Sequence, residues 1–527
     1  MLCLAVFAVS IDATVLNVAL PTISRELGAG TAELQWIVDA YTLALAGVLL
    51  TAGSLSDRFG RKKMLMAGLA VFGTASGLGA LAQEPWQIIA ARGLMGVGGA
   101  FFMPGTLSIL VHVFSPAERA AAIGRWGALT ALGMVLGPLL GGVLLEHFWW
   151  GAAFVLNVPV VVLALLGVGW IVPESSDPVA RRADLPGTVL STAAMGGILF
   201  GVISAPAHGW ASGLVLGPLL GGLVVLALFF VRQATAEEPM LDLRLMLSRR
   251  FLGAGGTMAF LMFALIGGAF VVTQQLQLVL DFSPMTAGLA TVPLAVATVI
   301  SSPLSPAVAK AAGARVTIAL GLATMAAGLG VLAFFAPNSG YPPTAVGLVL
   351  LGAGMGLAVA PVNDVLMSAG PPESSGRLSA MNDTVQELGS AFGVALIGSV
   401  LALAYGNALP GTAPPALRRS LGEAAEAVHG LPAARAGSLL DAAHRAFAHG
   451  MALSMAVCAA TALLGAVIAL VLIPGGRRPR PGDHPTSAGH QGQAAGAAPA
   501  DPPPVEPPDP APRSALSTGP ARTADEP

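Results

Sequence analysis

Residues 53–63 read Gly53-Ser54-Leu55-Ser56-Asp57-Arg58-Phe59-Gly60-Arg61-Lys62-Lys63, a short interval of charge and glycine between two long apolar runs, 36–56 and 64–82. Gly53 allows two helices to approach closely, and Gly60 permits a tight turn. Asp57 is placed to cap a helix or to pair with basic groups across a gate. A generic basic loop does not combine Gly, Asp, Arg and Gly at this spacing.

Working outward from this turn, the same alternation of apolar run and short polar break fills most of the chain. Of 527 residues, 55% are hydrophobic and 10% charged, with 66 Gly and 40 Pro. An ordinary soluble domain carries about 25% charged residues, and disordered chains are poor in apolar ones. The apolar runs fall at 1–21, 36–56, 64–82, 86–111, 127–145, 153–172, 186–204, 213–231, 251–272, 285–308, 315–336, 342–366, 382–405 and 450–473. A membrane-crossing helix needs about 20 mostly apolar residues. Hydrocarbon forbids unpaired backbone groups, which selects helices, and barrel strands would instead show short alternating segments. The expectation is an all-α integral membrane protein with 14 transmembrane helices.

Basic residues orient it. Arg58, Arg61, Lys62, Lys63, Arg119, Arg125, Arg181, Arg182, Arg232, Arg244, Arg249, Arg250, Lys310, Arg315 and Arg377 all lie in one set of short loops, while the other set holds only Arg25. The positive-inside rule makes the first set cytoplasmic, and with an even number of spans both termini as well. Residues 407–449 then lie outside, where helical spacing interrupted by Gly430 and Pro432 reads as a helical hairpin. Residues 475–527, rich in Pro, Ala, Gly and Ser, read as a disordered cytoplasmic tail. The first run begins at Met1 with no polar residues before it, so the chain is expected to start upstream. Cys3 and Cys458 sit in apolar runs with no metal or disulfide spacing. A net charge of −2 argues against a nucleic-acid partner.

Ionisable groups inside spans are costly, about 2.5–3.5 kcal/mol each on insertion scales, and mark function by default. Asp12, Asp39, Arg92, Asp364, Asp383 and Glu387 lie in or at the ends of the runs. Asp383 and Glu387, spaced i,i+4, share a helix face. Carboxylates at several depths beside an Arg suit a proton-coupled carrier. Asp364 is as well explained as a helix end. Trp36, Tyr41, Met258, Met262, Phe263 and Phe270 are candidates for an adaptable apolar pocket, although such residues at helical spacing more often serve packing.

The turn at 53–63 resembles the signature loop of the major facilitator superfamily, with a degenerate second copy around Lys310, Gly313 and Arg315. Arg92-Gly-Leu-Met-Gly96-Val-Gly98-Gly99-Ala100 is similar to the fourth-helix motif whose Arg faces a central cavity, with Met95 where the family usually has Gln. Gly133-Met-Val-Leu-Gly137-Pro138-Leu-Leu-Gly141-Gly142 resembles the fifth-helix antiporter motif. Ile11-Asp12-Ala-Thr14-Val-Leu-Asn17-Val-Ala-Leu-Pro21 and Phe154-Val-Leu-Asn157-Val-Pro159 resemble drug:proton antiporters with 14 spans, though Trp150-Gly151-Ala152 departs from the usual Trp-Arg-Trp. Gln35-Trp36-Ile-Val-Asp39-Ala-Tyr41 and Asn382-Asp383-Thr-Val-Gln-Glu387-Leu-Gly389 are similar to exporters of quaternary ammonium compounds.

The resemblance, over about residues 1–474, implies two six-helix bundles, 1–172 and 251–474. A segment at 173–250 would carry two inserted helices, 186–204 and 213–231. It implies a plasma-membrane antiporter that moves hydrophobic, cationic compounds outward against protons by alternating access. Asp12, Asp39, Asp383, Glu387 and Arg92 would serve proton coupling, with Asp39, Asp383 and Glu387 also receiving substrate. Gly53, Asp57, Arg58, Gly60, Arg61, Gly133, Gly137, Pro138, Gly141 and Gly142 would serve gating. The expected partners are protons, the substrate and the lipid bilayer, for a monomer without cofactor or metal. The rivals are a dedicated exporter of one metabolite, such as a self-made antibiotic, a transporter-like sensor, and a membrane enzyme. For the enzyme no nucleophile elbow, metal pair or phosphate loop is found.

Overall fold

The computed structural model describes residues 2–113, 129, 133, 136–174, 184–236, 243–335, 340–370, 375–410, 417–418, 420–427 and 433–474. The tail at 475–527, the first part of the fifth run and the Asp57 side chain lie outside the described residues. Among the described residues there are helices and no strands.

The long helices are α1 (Leu2–Leu27), α2 (Thr31–Phe59), α3 (Arg61–Gly79), α4 (Pro85–Val113), α5 (136–147) and α6 (Ala152–Ile171, with a turn at Leu156). They are followed by α7 (Leu185–His208) and α8 (Gly213–Thr235). The second group is α9 (Arg249–Gln274), α10 (Pro284–Ala312), α11 (Ala314–Phe334), α12 (Tyr341–Met367), α13 (Ser375–Ala408) and α14 (Ala433–Leu472). A helix thus stands at each of the fourteen apolar runs. Ten pass as membrane spans by length and apolar composition among the described residues; α2, α3, α4 and the described part of α5 are not among the ten.

Burial is inverted relative to a soluble protein. The outer surface carries Trp170 at 91% exposure, and along α8 Leu214, Leu220, Leu223, Val224, Leu228 and Val231 are also exposed. Only lipid is a good solvent for such a surface. The interior instead holds polar residues, including Gln35, Asp39, Arg92, Asn157 and Gln277.

The helix contacts repeat along the chain. In the first group α4 packs on α2 and α3, and α3 on α6; in the second, α12 packs on α10 and α11, and α11 on α14. The same duplication reaches single glycines. Gly60, with φ of 111°, begins α3 and Gly313, with φ of 89°, begins α11, so each copy of the short turn uses the left-handed region that L side chains avoid. α7 touches both groups, through α2 and through α13.

One expectation changes. The second helix of the 407–449 hairpin does not end before the last span but runs into it as the single 40-residue helix α14, with the short helix Leu421–Ala427 before it. At about 1.5 Å per residue α14 is roughly 60 Å long, about twice the hydrocarbon thickness. No Pro interrupts it, and Gly450 alone costs only about 1 kcal/mol in a helix interior.

Candidate functional site

The strongest polar cluster inside the spans joins five helices. Arg92 of α4 and Asp12 of α1, 2% and 3% exposed, form an ion pair at 2.5 Å. Asn157 of α6 donates from Nδ2 to Asp12 Oδ1 at 2.7 Å and lies 3.1 Å from Ser76 Oγ of α3. Ser76 in turn donates to the Phe154 carbonyl at 2.8 Å. Arg92 also donates from Nε to the Ile37 carbonyl of α2 at 3.1 Å, and its guanidinium lies 4.3 Å from the centre of the Tyr41 ring. A buried ion pair repays its desolvation only when its remaining donors and acceptors are satisfied. Here Asp12 accepts through both oxygens and Arg92 has a second acceptor and an aromatic face.

Gly133, ahead of α5, together with Gly137 and Gly141 of α5 explains how α1 is held. A Cβ at Gly133 would meet Ser10 and Phe7, at Gly137 Thr14 and Ile11, and at Gly141 Val15. This i,i+4,i+8 ridge lets the backbone of α1, which carries Asp12, lie directly on α5. The second group repeats the device: Cβ atoms at Gly389 and Gly393 of α13 would strike the backbone of α9 at Ala259 and Phe263. Gly142 and Pro138 face the other way, against Met285 and Gly288 of α10.

The remaining acids are arranged differently. Asp39 is fully buried, yet neither carboxylate oxygen has a hydrogen-bond partner. Asp383 and Glu387 are half-buried, and Glu387 lies within electrostatic range of Asp383 and Arg92. Asp364 is exposed near the end of α12. The apolar candidates are not gathered into one pocket. Trp36 lies against Phe200 of α7, with ring centres 6.3 Å apart. Tyr41 covers Arg92, while Met258, Phe263 and Phe270 are buried among core side chains and Met262 is half-buried beside them. In the signature turn, Arg58 stacks on Phe59, and Lys62 bonds the Gly169 carbonyl through Nζ at 2.8 Å and Glu174 through its backbone N–H at 3.1 Å. A Cβ at Gly53 would meet open space.

Three polar side chains have roles that sequence reading did not assign: Asn157 and two glutamines. Gln35 of α2 donates from Nε2 to the carbonyls of Ala395 at 2.6 Å and Val394 at 3.2 Å, and lies 3.4 Å from Ser399 Oγ of α13. Ser399 passes the bond on to the Val202 carbonyl of α7 at 3.0 Å. Gln277 donates to the Val18 carbonyl of α1 at 2.7 Å. It sits in a π-helical turn, Gln275–Val279, that continues α9, a wider turn often found at functional positions. So one glutamine from each group ties the two groups together at the same end of the molecule. The signal for both was a buried amide in an apolar run, a weaker mark than a charge.

At the ends of the inserted pair, Asp184 caps α7 by accepting from the Gly187 N–H at 3.0 Å. Arg232 donates to it through Nε and Nη2 at 2.8 and 2.7 Å, and Gln233 at 2.9 Å. Burial works to raise the Asp184 carboxyl, but these hydrogen bonds and the Arg232 charge outweigh it and hold the group below its ordinary value.

The family model for the Major Facilitator Superfamily matches residues 2–394. The multidrug efflux pump LfrA of Mycolicibacterium smegmatis is 36% identical over 89% of this chain and 94% of its own length. The tetracenomycin C resistance and export protein of Streptomyces glaucescens is 32% identical over 88% and 89%. The methyl viologen resistance protein SmvA of Salmonella typhimurium is 34% identical over 85% and 92%. Among solved structures, a bacterial homologue of the human lysosomal transporter Spinster, inward-facing and occupied, aligns with a TM-score of 0.59 at 19% identity, covering 89% of this chain and 95% of that one.

Proposed function

The chain belongs to the major facilitator superfamily, and on that premise we propose that it exports hydrophobic, cationic drug-like compounds across the plasma membrane in exchange for protons. The observation that carries this reading is the buried Asp12–Arg92 pair, a titratable carboxylate and its counter-charge held inside spans, where ionisable groups are costly and mark function by default. A proton delivered to Asp12 cancels the attraction, and Arg92, already within electrostatic range of Glu387, turns its charge toward the second group of helices. Asp39, Asp383 and Glu387 bind either protons or the cation, so that substrate and proton compete.

Placing the basic loops in the cytoplasm puts both termini there and makes the glutamine-tied end the outer one. The two halves, 1–172 and 251–474, rock about the seam, and the duplicated helix contacts support that division. The reading needs no cofactor or metal, makes the protein a transporter rather than an enzyme, and has it act as a monomer.

The test uses everted vesicles under an imposed pH gradient with an internal pH dye. Ethidium and a panel of quaternary ammonium ions should each trigger proton movement in wild type and not in Asp12→Asn. Silence toward every cation from folded protein would sink the reading. A relative named for tetracenomycin C export favours a second reading, a dedicated exporter of one metabolite; proton movement with a single neutral product and with no cation would select it.

A further inference from the structure

The inserted helices α7 and α8 touch both helix groups, and the cycle above gives them no part. The two are packed into one body. Cβ atoms at Gly197 and Gly201 of α7 would press on the α8 backbone at Pro218 and Val215, and one at Gly222 of α8 on the α7 backbone at Ala194. Such close backbone approach leaves no slack between helices, and the bonds from Arg232 and Gln233 to Asp184 clasp one end of the pair.

This body meets the two groups in different ways. Toward the first group it has a long seat on α2. Thr188 and Thr192 of α7, spaced i,i+4, lie on Thr51 and Gly47 of α2, also i,i+4. The Thr188 and Thr51 hydroxyls are hydrogen-bonded, and a Cβ at Gly47 would overlap the Thr192 side chain. Further along, Leu43 reaches Gly196 and Trp36 lies against Phe200. From Thr188 to Phe200 this seat spans about three turns of α7.

Toward the second group the direct contact is confined to one stretch. Leu199, Val202 and Ile203 pack on Ala391 and Ala395 of α13, and Ser399 donates to the Val202 carbonyl at 3.0 Å. Nearer the basic loops the same two helices stand apart. Ser191 and Met195 of α7 and Met381, Val385 and Leu388 of α13 line an apolar chamber of about 130 Å³, which α2, α8 and Phe251 of α9 complete.

We propose that α7 and α8 travel with the first helix group as one rigid body, and that the chamber is the clearance into which the second group swings when the tied end parts. In alternating access, separation at one end brings the groups together at the other. Ser399 lies against Gln35 as well as on Val202, so its bond to α7 is released in the same step as the glutamine tie. The inference rests on the alternating-access part of the reading above and adds which half carries the inserted pair.

The test uses the full chain with Cys3 and Cys458 replaced by Ala. A disulfide between Thr51→Cys and Thr188→Cys joins α7 to α2. A short, reducible bifunctional thiol reagent between Ser191→Cys and Val385→Cys joins α7 to α13 across the chamber. Ethidium-driven proton movement in everted vesicles is read before linking, after it and after reduction. The first link is expected to leave most of the rate; the second should lower it about tenfold or more, with recovery on reduction. Loss of transport on the first link, or none on the second, overturns the proposal while leaving export standing.

A second measurement needs no substrate. Ser191→Leu and Val385→Phe fill the chamber from α7 and from α13. In each, a cysteine introduced at Ala32 is expected to react several-fold more slowly with an impermeant thiol reagent, because a filled clearance holds the tied end shut. Unchanged labelling in variants that keep the wild-type melting temperature overturns the proposal. Wild type that moves no proton with ethidium removes the drug-export reading, and the labelling then decides this one alone.

Discussion

Asp12 and Asp39 are both buried carboxylates on neighbouring helices, yet their surroundings are opposite. Asp12 has Arg92 and Asn157 on its two oxygens, and α1 is seated on a glycine ridge that fixes its position. Asp39 has no partner at all. The first is a completed circuit, costly to interrupt; the second is an incomplete one that only an incoming group can close. Burial alone therefore does not identify a carboxylate's role, and the state of its partners does.

The sharpest way to break the comparison is to remove the counter-charge. Arg92→Ala leaves Asp12 buried and unpaired, which costs about 3–5 kcal/mol. The melting temperature in detergent is expected to fall by several degrees, with transport lost about a hundredfold or more. Adding Asp12→Asn should restore most of the melting temperature and none of the transport. A single Arg92→Ala variant as stable as wild type would mean the pair is no structural unit. Asp39→Asn is the converse case. It breaks no hydrogen bond, so its melting temperature should match or exceed wild type, while its half-saturating concentration for cations rises about tenfold. A melting temperature lowered as far as in Arg92→Ala would erase the distinction.

Smaller effects grade the network. Asn157→Ala takes away one hydrogen bond to Asp12 and is expected to cost about 1–3 kcal/mol, less than the loss of Arg92, as read from denaturation midpoints. Gln35→Leu should leave stability nearly intact but loosen the tied end. A cysteine introduced at Ala32 should then react several-fold faster with an impermeant thiol reagent. The smallest effect concerns Asp184, whose carboxyl is held below its ordinary value of about 3.9. A group lowered in the folded state contributes stability above its unfolded value and loses it as pH falls through the folded one. The melting temperature of wild type should therefore decline below about pH 4, and that of Asp184→Asn should decline less.

Much of this was legible in the residues. Long apolar runs admit only helices in hydrocarbon, so the run positions foretold the helices, and the Gly60 turn carried the family resemblance. The charged members of the site were legible as well, because a charge in a span is conspicuous. What escaped was pairing. Nothing in the spacing of Asp12 and Asp39 tells which one meets Arg92, since that depends on how helices distant in sequence are rotated against each other. The neutral amides Asn157, Gln35 and Gln277 escaped for a second reason: an amide in a span is cheap enough to occur without function. The continuity of α14 was hidden because the last apolar run begins only at residue 450, and the helix simply passes through that boundary.

The tie between the two helix groups has a consequence for how this protein can vary. Gln35 and Gln277 donate chiefly to main-chain carbonyls, those of Ala395, Val394 and Val18. Every amino acid supplies the same carbonyl, so no side-chain replacement at those three positions removes the acceptor. Genetic suppressors that ease opening should then be found at the two glutamines, or at Gly398, where an added Cβ would collide with the Gln35 side chain. The receiving helices are otherwise free to drift, and lineages can reshape their interior walls without losing the tie between the two groups.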